Sequence, residues 1–179
     1  LICRWRMSNK KVPMLNRHIR ALSERLVQGE PLTNNMLSWA KQHVEWSLAE
    51  GDYTAHDGVL MLVIDVNGNA AMTVGEYEPL ADTSAKALRA RSAEARSEAD
   101  ETGVAPELLA AVNNGELVFV APADECLCGT ATLIEQLAQT KGIPVTRVDI
   151  PAQLKGALFV VSDEHGVVPA TVTGAAEGE

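Results

Sequence analysis

The hydrophobic period of this chain changes after residue 50, and that change limits the folds open to it. Before residue 50, apolar residues recur at helical spacing. Leu15, Ile19, Leu22 and Leu26 form one such stripe, and Met36, Leu37, Ala40, Val44 and Leu48 form a second. Both stretches read as amphipathic helices. From Val59 onward the apolar residues come in short runs closed by turns. Residues 59–64 make one strand-sized run, Asn67-Gly68 is a strong hairpin signal, and residues 70–74 are the return strand.

The same reading carries through to the end of the chain. Helices are expected over 14–28, 33–49, 85–101 and 130–141. Thr33 caps the second, and Gly29, Gly103 and Gly142 stop the first, third and fourth. Residues 108–112 and 117–120 flank Asn113-Asn114-Gly115 as a second hairpin. Residues 143–150, 157–161 and 167–172 are further strands. The order α-α-β-β-α-β-β-α-β-β-β predicts an α+β fold with antiparallel-rich sheets, because strands come in hairpins rather than singly between helices. The tail, 174–179, is small and acidic and is expected to fray.

Of the 179 residues, 46% are hydrophobic and 22% charged, enough for a packed core and against wholesale disorder. No apolar run has the length of a membrane span. Cys3, Cys126 and Cys128 make no disulfide framework and point to a reducing compartment. The expected location is the cytoplasm, or an organelle if the N-terminus, which begins at Leu1, is processed. Residues 1–7 are too short and too charged for a secretory h-region. A net charge of -9 argues against a general nucleic-acid binder. The charge is uneven. Residues 1–25 hold seven basic side chains and one acid, leaving eight basic against 23 acidic for the rest. Such a basic head reads either as a solvated first helix or as a dock for an acidic partner.

Several chemistries have no footing. The glycine-rich dinucleotide and phosphate-loop patterns are absent. His18, His43, His56 and His165 share no metal spacing, so no metal site is expected. Cys126-Leu-Cys128 lacks the two-residue gap of redox and zinc sites and reads as small loop residues. No Ser-His-Asp set can be assembled. Trp39 and Trp46 fall on one side of the second helix and read as core or an interface. One stretch suits a ligand. Gly129, Thr130, Ala131 and Thr132 open a helix whose free N–H groups and dipole favour a phosphate, with the two hydroxyls in support; a plain helix cap is the other reading.

With that loop the parts fall into a known order. Leu127-Cys128-Gly129-Thr130, the apolar helix after it, Gly142-Ile143-Pro144-Val145 and the Gly166-Val-Val-Pro169-Ala170 close are similar to the C-terminal half of the class IV aminotransferases. These are the pyridoxal-phosphate enzymes that include branched-chain and D-amino-acid aminotransferases and aminodeoxychorismate lyase. The His18-to-Leu22 helix start, the strand at Leu60-Met61 and the segment from Lys86 through Leu88 and Arg89 to Gly103 resemble its N-terminal motifs. The likeness runs through most of residues 12–174. It implies a two-lobed fold, divided here as a small lobe over 1–80, incomplete relative to the family, and a larger cofactor-type lobe over 81–179.

The resemblance also implies a site. Lys86 would hold the aldehyde of pyridoxal 5'-phosphate and move the proton at a substrate's alpha carbon, with Lys155 and Lys141 next in line. Gly129 to Thr132 would take the phosphate. The substrate would be a small amino acid or an aminodeoxychorismate-type compound. The departures imply an alternative. The arginine of the His-x-x-Arg-Leu motif is Ala21, leaving Arg20 or Arg17 as stand-ins. The arginine of the Leu-Arg pair is Met61, and the loop's second threonine is Ala131. The glutamate for the pyridine nitrogen has no counterpart between Leu109 and Pro122, where the chain is short and Glu116 a poor substitute. The alternative is a catalytically degenerate homologue that has lost the cofactor and serves as a structural or binding subunit. Either way a homodimer or a place in a larger complex is expected, because a shortened sheet leaves edges unpaired.

Overall fold

The computed structural model describes residues 1–51, 53–65, 67–151 and 154–171. Its first element, strand β1 (Ile2–Met7), lies in the basic head, where no strand is expected. Cys3, Trp5 and Met7 are buried and alternate with half-buried Ile2, Arg4 and Arg6. The arginines on the alternate positions hide this period of two from a count of charge. β1 pairs antiparallel with β4 (Gly58–Ile64), Trp5 opposite Leu60, and β4 pairs with β5 (Ala70–Gly75) across the Asn67-Gly68 turn. The result is a three-stranded sheet ordered β1-β4-β5.

Two helices complete this half. Helix α1 (Leu15–Ser23) stops five residues short of the expected residue 28. Leu26–Val27 (β2) and Glu30–Pro31 (β3) instead form a minimal hairpin. Gln28 and Gly29 both take positive φ (51° and 83°), the backbone a two-residue primed turn demands and a helix cannot hold. Helix α2 (Asn34–Glu50) begins as expected, with Thr33 accepting the Met36 N–H at 3.3 Å. Leu22, Ala40, Val44 and Leu48 join Trp5, Met7, Leu60, Leu62 and Ile64 in one core. Trp39 and Trp46 stay outside it, 43% and 61% exposed, with Trp39 stacked on His43.

The second sheet has five strands, β10-β9-β6-β7-β8. They are β6 (Leu108–Asn113), β7 (Glu116–Val120), β8 (Val145–Val148), β9 (Ala157–Ser162) and β10 (Gly166–Pro169). The last strand starts one residue before the expected 167 and is complete at Pro169; residue 172 lies outside the described residues. Every pairing is antiparallel except β7 with β8, which helix α4 (Gly129–Thr140) joins as a crossover. Helix α3 (Ala85–Thr102), capped by Ser84 and closed by Gly103 with φ 69°, covers one face: Leu88 packs with Leu109, Ala111 and Val160. α4 covers the other, Ala131 and Ala138 packing with Leu108, Ala110 and Phe119. Two covered faces explain why Leu108, Leu109, Ala110 and Ala111 are all buried rather than alternating. The architecture is α+β with antiparallel-rich sheets. The first sheet lies within residues 1–80 and the second within 81–179.

The basic head is largely consumed by the fold. Arg4 pairs with Glu98 at 2.6 Å. Arg17 reaches across to Thr132 and Gln136 of α4. Arg25 is largely buried, which pulls its guanidinium below its ordinary value. Arg4, Arg17 and Arg25 are thus engaged within the fold, whereas Lys11 and Arg20 are exposed.

Candidate functional site

Helix α4 needs acceptors for its first N–H groups, and its N-cap, Cys128, supplies no side-chain bond. The acceptor comes from the turn between β9 and β10. Asp163 Oδ1 accepts the Thr130 N–H at 2.7 Å and the Thr130 hydroxyl at 2.8 Å, and Oδ2 accepts the Gly129 N–H at 3.3 Å. His18 Nδ1 stands 3.3 Å from the same Oδ2, close enough for charge to act on the carboxylate but without hydrogen-bond alignment, and it has no hydrogen-bond partner among the described residues. Burial by itself would raise the Asp163 carboxyl. The His18 imidazole and the Thr130 donors outweigh it and hold the group below the usual carboxylate range. The start of α4 therefore is an anion site, and the anion is the chain's own.

Gly129 has a second reason to be glycine. A Cβ there would lie 2.5 Å from His18 Nδ1. The His18 ring is stacked on Trp5, centroids 5.4 Å apart, and the added Cβ would also lie 3.2 Å from the His18 Cα. The Thr132 hydroxyl turns back to the Gly129 carbonyl at 2.7 Å. Ala131 is fully buried under the sheet. Cys128 is buried too, which pushes its thiol well above the ordinary value, while exposed Cys126 donates to the Glu24 carbonyl.

Other expected site residues stand apart from this cluster. Lys86 is exposed in the first turn of α3, and it is not among the residues lining the cavity beside Asp163. Lys141 and Lys155 are exposed as well. Arg20 is exposed on α1, whereas Arg17, one turn earlier, is the arginine that touches α4. Ala21, at the resemblance's phosphate-arginine position, is buried.

The cavity holds about 390 Å³ between β1, the start of α1 and the β9–β10 turn. Arg6, Met14, His18, Tyr77, Asp163 and His165 are among its walls. The Arg6 guanidinium lies 3.4 Å above the Tyr77 ring, and its Nη1 is buried without a hydrogen-bond partner among the described residues. Arg91 grips Glu107 with two bonds of 2.6 and 2.7 Å and lies 3.0 Å from His165 Nε2. Arginine only donates, so Nε2 accepts and the ring proton sits on Nδ1, 3.4 Å from the Tyr77 hydroxyl. Burial lowers the His165 pKa, with Arg91 and Arg6 assisting against Glu107 and Glu164, and keeps the ring neutral. Glu107, Glu164 and His165 bring ligand atoms within 4.8 Å of one another, but Arg91 already fills that place with a cation.

Two observations bear on the expected cofactor residues. The N–H groups that the phosphate of pyridoxal 5'-phosphate would need are bound by an ionised carboxylate that is itself buried, and the expected lysine lies outside the cavity.

Solved structures show this to be the α+β fold of the class IV aminotransferases. Solved structures with the same fold include a candidate 4-amino-4-deoxychorismate lyase from Legionella pneumophila, 11% identical, TM-score 0.62, over 95% of this chain and 81% of that one. A candidate amino-acid aminotransferase from Mesorhizobium loti is 19% identical, TM-score 0.56, over 96% and 98%. An aminotransferase from Brucella abortus, bound to its cofactor PLP, is 14% identical, TM-score 0.54, over 94% and 79%. No family profile and no curated protein matches the chain. At such identities the likeness is one of fold.

Proposed function

We propose that the chain is a degenerate member of the class IV aminotransferase family that no longer takes pyridoxal 5'-phosphate and serves as a binding or structural subunit. The observation that supports this is the Asp163 carboxylate on the Gly129 and Thr130 N–H groups. A phosphate brought to the same helix start would meet a buried negative charge at contact distance, in surroundings that screen it poorly. Ala21, at the position where the resemblance has an arginine, supplies no counter-charge to offset this repulsion, and Arg17 is spent on Thr132 and Gln136. The subunit part of the reading rests on Trp39 and Trp46, two exposed aromatic side chains on one helix of the kind that anchors protein contacts. The contact partner is a second copy or another chain of a complex, and light scattering on the purified protein tells a monomer from either assembly.

The test of the cofactor claim is direct. Purified protein mixed with an equimolar amount of pyridoxal 5'-phosphate should give no imine absorbance beyond that of Lys86→Ala, and borohydride should label Lys86 no more than the other exposed lysines. A saturable imine band, reducible by borohydride, that is present in the wild type and absent from Lys86→Ala overturns the reading in favour of an aminotransferase or lyase acting on a small amino acid.

A further inference from the structure

The turn between β9 and β10 joins the two halves of the chain. From the first half, the Arg6 N–H of β1 donates to the Asp163 carbonyl at 2.9 Å, and the Tyr77 hydroxyl lies 3.4 Å from His165 Nδ1. From the second half, Arg91 of α3 and Glu107, just before β6, meet the other side of the same ring. The His165 side chain is 3% exposed, and its N–H is held on the Ser162 hydroxyl at 2.9 Å.

One nitrogen of this ring faces two incompatible kinds of partner. His165 Nε2 lies 3.0 Å from the Arg91 guanidinium, 3.7 Å from a Glu107 oxygen and 3.9 Å from a Glu164 oxygen. Toward a guanidinium, which only donates, the nitrogen must be bare. Toward a carboxylate, which only accepts, it must carry a proton. One proton therefore chooses between the contacts. Glu107 is committed to Arg91 by two bonds, so half-buried Glu164 is the acceptor left for a charged imidazole.

We propose that His165 is a proton-operated latch between the two sheets: neutral, it holds Arg91 and keeps the turn closed on β1; protonated, it exchanges Arg91 for Glu164, and the seam between the turn and β1 loosens. The charges around the ring oppose one another. Arg6 on β1 and Arg91 on α3 resist the protonated state, and Glu107 and Glu164 favour it. Burial decides for the neutral ring, so the latch opens only below the ordinary histidine value of 6.5. Asp163, in the same turn, takes its own proton only below 3.8, which keeps the two events apart. The latch stands whether or not the chain takes a cofactor.

The test is hydrogen exchange at the Arg6 amide of the full chain from about pH 7.5 to about pH 4.5, each rate divided by the intrinsic rate at that pH, alongside the His165 ring resonances. Protection at Arg6 is expected to fall about tenfold with the midpoint of the His165 titration, while protection in the middle of β6 stays constant. His165→Gln should abolish the response. Glu164→Gln removes a charge that favours the protonated ring and should move the midpoint to lower pH. Constant Arg6 protection while His165 titrates overturns the proposal, as does an imidazole that stays neutral throughout. A response that persists in His165→Gln also overturns it and assigns the effect to another group, His18 beside Asp163 first among them. Should His165→Gln fail to fold, the Glu164→Gln midpoint decides, and an unmoved midpoint counts against the latch.

Discussion

Asp163 and Thr130 are 33 residues apart in sequence, yet the carboxylate of one holds both the backbone N–H and the hydroxyl of the other, at 2.7 and 2.8 Å. A side chain from the far end of the second sheet thus performs the capping that Cys128, next to the helix, does not.

Removing that cap should cost stability heavily. Asp163→Ala strands two backbone N–H groups and a hydroxyl at a largely buried place, and a loss of about 2–4 kcal/mol is expected. Asp163→Asn keeps an acceptor oxygen and should lose less. Urea unfolding of both variants checks the order, and an alanine variant as stable as the wild type would contradict the capping role.

Acid should reveal the same carboxylate. Its pKa in the fold lies below its ordinary value of 3.8, so the unfolded chain takes up the proton first. The stabilisation is complete above the ordinary value and is lost as pH falls through the depressed one. Unfolding free energy measured from about pH 6 down to about pH 2 should therefore drop more steeply in the wild type than in Asp163→Asn. Parallel curves would show that Asp163 carries no such linkage.

Gly129→Ala tests the contact with His18. The added methyl group stands 2.5 Å from the ring nitrogen, and the ring is pinned by Trp5. A loss of about 1–3 kcal/mol is expected, as for other overpacked sites, despite the better helix propensity of alanine. Unchanged stability together with a shifted His18 resonance would mean that the ring moves aside at no cost.

Lys86→Ala should do little. The side chain is exposed in a helical first turn, and alanine suits a helix at least as well. Stability should stay within about 0.5 kcal/mol of the wild type, and the response to pyridoxal phosphate should not change. A marked change in either measurement would restore Lys86 to the site.

Much of the fold was legible because its signals are local. The Asn67-Gly68 and Asn114-Gly115 turns lie between the expected strands, and Thr33 and Ser84 cap their helices. β1 was not legible, since its alternate positions carry arginines whose partners, Glu98 and Tyr77, are distant in sequence. The end of α1 was misjudged because Leu26 continues the apolar stripe while Gln28 turns left-handed. For the site, the Gly129–Thr132 stretch announced a helix start that wants an anion. Nothing local announced that the anion is Asp163. In sequence that residue belongs only to a turn, Ser162-Asp163-Glu164-His165-Gly166, and the pairing exists only once β9 has been laid against β6. Arg6, Tyr77 and His165 escaped notice for the same reason.

The long reach of Asp163 also bears on the order in which the chain can assemble. On a ribosome, α4 emerges 33 residues before the carboxylate that closes its first turn. The Arg6 amide, made near the very start, waits for the carbonyl of that same Asp163. Loop closure over such distances follows local helix and hairpin formation. The first turn of α4 and the seam from β1 to the β9–β10 turn are therefore expected to mature last. Pulse-labelled hydrogen exchange would register this as protection at the Thr130 amide arriving after protection in the middle of α4.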